Sequence, residues 1–368
     1  MGTTLDWRSM NDTRSTLWSL RSLRSLWRLV PRRGGSLLAR LRAAYNCYQA
    51  MLFQKRDRHA EAIACLTRAI ALFPAYRAAC YRRGHSHFCQ GDYAAAITDF
   101  TRVIDGLPGF SLAYYARGTT YQLQGDYAAA LVDLTRAIAL DPTNASAYCN
   151  RGIIHDDQGR VGPALLDLNC AIALDPQSAY AYNNRGCAYA HQDDYARAIT
   201  DFDRAIALDP QDVIAFHNRG NAYLCQGDPA QAIADHTRAI ALDPRRARAY
   251  SDRGDAYYDQ GDVAQAIADY TLAIALDPQD AVVYDIRGYA YYKQGDLAQA
   301  IADYTQAIAL DPQGPVPYYD RAMATYKQGD EQPALADLAR ARGLPLAPEE
   351  RAKAEEEWEK LLLLLDKT

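Results

Sequence analysis

The sequence predicts an all-α fold in which one helical hairpin is stacked repeatedly into a solenoid. Gly84, Gly118, Gly152, Gly186, Gly220, Gly254 and Gly288 follow one another at a step of 34 residues, each directly after an arginine. Pro108, Pro142, Pro176, Pro210, Pro244, Pro278 and Pro312 keep the same step. Between these markers lie two runs of helical periodicity separated by a short turn, Asp193-Asp194 in the copy from Asp175 to Gly220 and Gly227-Asp228 in the next. A unit of two helices cannot bury its apolar face alone, so recurrence at this period implies that each copy packs on its neighbours.

A 34-residue period built from two helical runs resembles the tetratricopeptide repeat family, and the resemblance covers about four fifths of the chain. It implies a right-handed superhelical α-solenoid that serves as an interaction scaffold. In chain order, residues 1–42 come first, with Arg14, Arg21, Arg24 and Arg28 on one side of a helical projection and Leu20, Leu23, Leu26, Trp27, Leu29 and Val30 over the rest. Three readings of this basic amphipathic segment stand: a segment that is disordered or packs on the first repeat, a helix lying on an anionic membrane surface, and a cleaved targeting peptide. Pro31 and Gly34-Gly35 break it and mark a linker. Nine repeats are expected over 43–348. The first is degenerate, with Ala50 in the glycine position and Arg56-Asp57 in place of Gly-Asp, and the last carries Ala322 and an early Pro345. Residues 349–368 read as a capping helix over the final repeat.

Within a repeat, the family places Gly or Ala at the eighth and twentieth positions, where the helices cross. Here these are Gly220 with Ala232, Gly254 with Ala266, and Gly288 with Ala300. Aromatic residues at the fourth position (Tyr148, Tyr182, Phe216, Tyr250, Tyr284) and the eleventh (Tyr189, Tyr223, Tyr257, Tyr291) are expected to fill the core. Gly227, Gly261 and Gly295 suit a left-handed helix end, Asp228, Asp262 and Asp296 suit the next N-cap, and Gln231, Gln265 and Gln299 would complete a capping box. An Arg before each glycine and an Asp in each second helix repeat from Arg83 to Arg321 and from Asp99 to Asp337. Folding the hairpin at its turn brings them level, which predicts a structural row of ion pairs more readily than a ligand track.

Composition excludes several classes of function. Net charge is −5, with nine Arg against Asp6 and Asp12 in the first 42 residues, so the remainder stands at −12 and argues against nucleic acid as partner. The eight cysteines fall at different repeat positions without a Cys-x-x-Cys pair, which suits small apolar packing in a reducing, cytoplasmic setting. Uninterrupted apolar runs such as Leu361–Leu365 do not exceed six residues, far short of the ~20 that span a bilayer. No nucleophile elbow, phosphate-cradling loop or His-Glu-x-x-His is present, so no enzyme, cofactor or metal site is assigned. Cys187 and His191, with Asn221, Cys225, Asp157 and Asp259 in neighbouring copies, are read as coincidental groove lining.

The family binds through the concave face formed by the first helices. The groove residues expected there are Asn150, Asn183, Asn184, His217, Asn218, Asn221, Asp252, Asp255, Tyr258, Asp259, Asp285, Tyr289 and Tyr292. Asn150, Asn184 and Asn218 share the sixth position, resembling the asparagine ladder of O-GlcNAc transferases, and would hold a peptide backbone from a face open to water. The Asp and Tyr of the later repeats suit a ligand carrying Lys or Arg. The Lys and Arg of a clamp for chaperone tails are missing, although His217 and Asn221 match in part. The resulting expectation is a scaffold or adaptor binding an extended, basic peptide segment. The alternatives are a substrate-recruiting subunit of a glycosyltransferase assembled from separate chains and a peripheral membrane organiser docking through residues 1–42.

Overall fold

The computed structural model describes residues 37–344, and the predictions for residues 1–36 and for a capping helix over 349–368 lie outside them. Among the described residues the structure is all-α, with helices paired as hairpins. They fall into two compact units, one ending at Gln192 and the other beginning at Asp193. The first contains α1 (Leu37–Gln54), α2 (His59–Leu72), α3 (Arg77–Cys89), α4 (Tyr93–Gly106), α5 (Ser111–Leu123), α6 (Tyr127–Leu140), α7 (Ala145–Asp157), α8 (Val161–Leu174) and α9 (Ala179–Ala190). The second contains α10 (Tyr195–Leu208), α11 (Val213–Gln226), α12 (Pro229–Leu242), α13 (Ala247–Gln260), α14 (Val263–Leu276), α15 (Ala281–Gln294), α16 (Leu297–Leu310), α17 (Val316–Gln328) and α18 (Glu331–Arg342). Helix α1 already runs from Leu37, the first described residue, so the first repeat's leading helix extends back across the boundary expected at residue 43.

Each hairpin closes where a small residue lets the second helix approach. A Cβ added at Gly254 would lie 2.5 Å from Tyr270 Cε1, and one added at Gly118 would meet Leu134 Cγ at 3.1 Å. Opposite them, the alanines of the second helices, such as Ala130, Ala164, Ala232 and Ala266, are wholly buried. Against the small residues of the first helices lie the buried side chains of Phe100, Leu134 and Leu168 in the first unit and of Tyr270 and Tyr304 in the second.

The turn is built as its sequence implies, with one amendment. Gly227, Gly261 and Gly295 take the left-handed conformation, and Asp228, Asp262 and Asp296 accept the N–H of Gln231, Gln265 and Gln299. The expected capping box is only half formed. The N–H groups of Asp228, Asp262 and Asp296 already donate to the carbonyls of Tyr223, Tyr257 and Tyr291, so the glutamine side chains find no vacant donor there. The first repeat's turn falls at Asp57-Arg58, 34 residues before Gly91-Asp92, and not at the expected Arg56-Asp57. Asp57 holds the glycine place at φ 53°, and Arg58 stands at the N-cap without a side-chain cap bond. After the second helices from α6 to α16 the Asp-Pro pair closes with an Asx turn, as where Asp277 Oδ1 accepts the N–H of Gln279.

The repeated arginines form the predicted ion pairs, and they do more. In seven repeats Nε and Nη2 donate in parallel to the two carboxylate oxygens of the Asp sixteen residues on, at 2.6–2.9 Å, from Arg83–Asp99 to Arg321–Asp337. Those Asp side chains are buried. The remaining fork nitrogen reaches the preceding repeat's second helix, as where Arg117 Nη1 donates to Thr101 and Arg253 Nη1 to Thr237. The aromatics at the fourth and eleventh positions are mostly half-buried rather than core, because they flank this guanidinium. Tyr250 and Tyr257 lie with their ring centres 5.8 and 6.0 Å from Arg253 Cζ.

Replacing Arg253 with Ala leaves the Asp269 carboxylate buried without its partner, and we expect a loss of about 3 kcal/mol in chemical denaturation. The double variant Arg253→Met/Asp269→Leu should lose less than the single one, because it removes the uncompensated charge. At the first turn, Asp57→Gly should raise stability by about 0.5–1 kcal/mol, since glycine takes φ > 0 without steric cost. A lower midpoint for that variant than for the parent chain would contradict this.

Candidate functional site

The first helices carry the residues expected in the groove, and their surroundings divide them. In the first unit, Asn150 on α7 is 2% exposed, with its amide donating to Thr119 Oγ1 at 3.1 Å and Tyr115 Oη at 3.4 Å. The expectation of a row of amides open to water is therefore corrected at its first member. Tyr115 and Thr119 on α5 capture that amide, and a buried donor with a good acceptor is held inside. Asn183 is buried, and the Asn184 amide donates to the Tyr180 carbonyl of its own helix at 2.7 Å. His191 Nδ1 lies 3.0 Å from Asp156 Oδ2, so the imidazole of the Cys187–His191 pair already faces a carboxylate.

In the second unit, Asn218 and Asn221 are half-buried, as are Asp255, Tyr258, Asp285 and Tyr292, while Asp259 and Tyr289 are exposed. Asp255 accepts a hydrogen bond from Tyr270 Oη at 2.8 Å. Removal from water pushes its carboxyl up to about 6, against that bond, and burial pushes Asp285 up to about 6 as well. Tyr258 and Tyr289 lie with ring centres 5.8 Å apart. Lys293 Nζ sits 5.0 Å from the centre of the Tyr289 ring, and Lys327 Nζ 4.7 Å from that of Tyr292. These ring faces thus already carry ammonium groups beside a row of carboxylates.

His217 and Asp252 form a separate group. His217 Nδ1 lies 2.9 Å from Asp252 Oδ2, and the Asn221 amide nitrogen is 3.3 Å from His217 Nε2. Beneath them His236 on α12 is wholly buried and lowered to about 4 by that burial. Its ring lies against Gly220, where an added Cβ would come within 2.8 Å of it. Sequence reasoning missed His236. The signal was available: it is an imidazole at the second-helix position where the other complete repeats carry Phe100, Leu134, Leu168, Phe202, Tyr270, Tyr304 and Leu338.

Profiles described as tetratricopeptide repeat match residues 49–110, 179–212 and 217–281, and one described as TPR repeat matches 118–159 and 288–329. The chain belongs to the tetratricopeptide repeat family. This is a family of interaction scaffolds and is typically non-catalytic. Among solved structures, a tetratricopeptide repeat protein from Parabacteroides merdae is 19% identical over 68% of this chain and 99% of its own, with a TM-score of 0.55. A chain of the APC/C hetero-tetramer Cut9–Hcn1 is 17% identical over 82% of this chain and 58% of its own, at 0.57. PilF of Pseudomonas aeruginosa is 23% identical over 58% of this chain and 97% of its own, at 0.51. These likenesses show the tetratricopeptide fold. Comparison with curated proteins returns no match. Among the described residues, no helix is long and apolar enough to cross a membrane.

The raised carboxyls fix the sign of a pH effect. Asp255 and Asp285 hold a proton to about pH 6 in the folded chain, against about 3.9 unfolded, so their contribution to stability is full below about pH 4 and lost as pH rises through 6. Melting temperature should therefore fall more steeply between these limits for the parent chain than for Asp285→Asn, whose amide does not titrate. Parallel slopes would show that the Asp285 carboxyl is not held protonated.

Proposed function

We propose that this tetratricopeptide chain is an adaptor whose second unit holds an extended, basic segment of a partner protein along α11, α13 and α15. The observation that carries the reading is the pairing of Asp255, Asp259 and Asp285 with tyrosine faces that already accept the ammonium groups of Lys293 and Lys327. A ligand lysine or arginine meets the same chemistry by displacing those side chains, and the carboxylates favour its approach. Asn218 and Asn221, half-buried on α11, hold the backbone of the bound segment by exchanging their present contacts for it. Asn150 is set aside from that role, because its amide is already satisfied within the fold.

A peptide array probed with the parent chain and with Asp255→Asn/Asp259→Asn/Asp285→Asn tests the reading. Lys- and Arg-rich peptides should lose about tenfold or more in affinity, equivalent to about 1.4 kcal/mol, while neutral peptides change little. Association with basic peptides should slow and become less sensitive to salt. Unchanged binding of basic peptides by a variant with the parent's circular dichroism would remove this surface from consideration.

A further inference from the structure

We propose that His217, His236 and Asp252 form a binding site for one divalent transition-metal ion of the zinc type. The three residues come from successive helices α11, α12 and α13 of the second unit, and one ligand atom from each lies within 4.8 Å of the others. All three are buried. Neither ring nitrogen of His236 has a hydrogen-bond partner, and neither do His217 Nδ1 and Asp252 Oδ2. The last two are 2.9 Å apart, yet not aligned to share a proton. Buried donors and acceptors left without partners are costly and rare. Ligand atoms from three residues gathered this closely, with no hydrogen bond among them, are what a shared ion would satisfy.

The donor set narrows the ion. Two imidazoles and a carboxylate suit zinc and its transition-metal neighbours, whereas magnesium and calcium prefer oxygen ligands throughout. Three protein ligands leave a fourth position for water. Tetrahedral ligands at about 2.0–2.1 Å from zinc stand about 3.3 Å apart, so closing the 4.8 Å spread takes a side-chain movement on the order of 1 Å. With Nδ1 of His217 on the ion, Nε2 carries the proton, and Asn221 can accept it by turning its amide oxygen inward, a typical support for a metal-bound imidazole. Two cations stand near the three ligands. Arg248 Nε is 3.8 Å from Asp252 Oδ2 on a largely exposed side chain that is free to swing away, and the neighbouring Arg253 is held by Asp269.

A buried water is the rival occupant, since groups hydrogen-bonded to one water stand farther apart than ligands of one ion. The repeats themselves supply substitutions that should keep the fold. Phe100 and Phe202 occupy the place of His236 in other copies, and Asn184 and Asn218 that of Asp252. Chelator-treated full-length chain should be titrated with zinc against a chromophoric chelator and with cobalt for its visible spectrum. The parent chain should take up one equivalent with a rise in melting temperature. Its cobalt form should show ligand-field bands without a thiolate charge-transfer band, which separates this site from the cysteines. His236→Phe and Asp252→Asn should keep the helical spectrum and weaken zinc binding by more than the roughly 10–100-fold typical of outer-shell changes. Absence of a bound equivalent in the parent chain would mean that water fills the space and overturn the site. Undiminished uptake by His236→Phe would overturn it too, by moving the ion to other ligands. The site uses none of the carboxylates of the basic-peptide reading and shares only Asn221 with it, so loss of zinc binding and loss of basic-peptide binding are read separately.

Discussion

The parallel pair of hydrogen bonds between a repeat arginine and the aspartate sixteen residues on, formed in seven repeats, is the interaction around which the fold is arranged. One guanidinium joins the two helices of its own hairpin through a buried carboxylate, touches the preceding hairpin through its third nitrogen, and stacks against two rings of its own helix. A planar, always-charged fork serves all three directions at once, which an ammonium on a flexible stem does not. The aspartate hydrogen bond in turn raises the arginine's own pKa above its usual value. Because the same geometry recurs within both units, each hairpin is set against its predecessor by a polar contact as well as by packing.

That arrangement leaves the groove side of the first helices free to vary. In the first unit the variation has turned inward, with Asn150 satisfied by Tyr115 and Thr119. In the second it produces carboxylates held partly out of water beside tyrosines that carry lysines. Asp255 and Asp285 tolerate their surroundings by holding a proton to higher pH than a free carboxyl does, and this gives the surface a charge that grows as pH rises towards neutrality. The His217–His236–Asp252 group is a different departure. There a polar ring replaces an apolar one at the hairpin crossing, and the consequence is a set of buried atoms without partners rather than a surface.

Nearly all of the fold was legible in the sequence, because it depends on local rules repeated at a fixed step. Glycine at the turn, aspartate at the N-cap, Asp-Pro at the helix end and the Arg–Asp register each act within one hairpin, and 34-residue recurrence repeats them. What the sequence misjudged were competitions between neighbours. The glutamine of the capping box lost its donor to a carbonyl of the preceding helix, and the Asn150 amide was taken up by Tyr115 and Thr119.

By itself, then, the sequence determined the helical hairpin, its period, its ion pairs and the acidic, aromatic character of the later first helices, since these follow from residue type and spacing along one or two helices. Only the tertiary structure decided which polar side chains remain accessible and which are consumed. Asn150 and Asn184 occupy the same repeat position, yet one amide is buried against the preceding first helix and the other bonds its own backbone, according to what the neighbouring residues offer. Only the tertiary structure, likewise, placed His236 beneath His217 and Asp252. The three lie at different repeat positions on three helices, and no period along the chain relates them; their meeting is set by how closely Gly220 allows the second helix to approach the first.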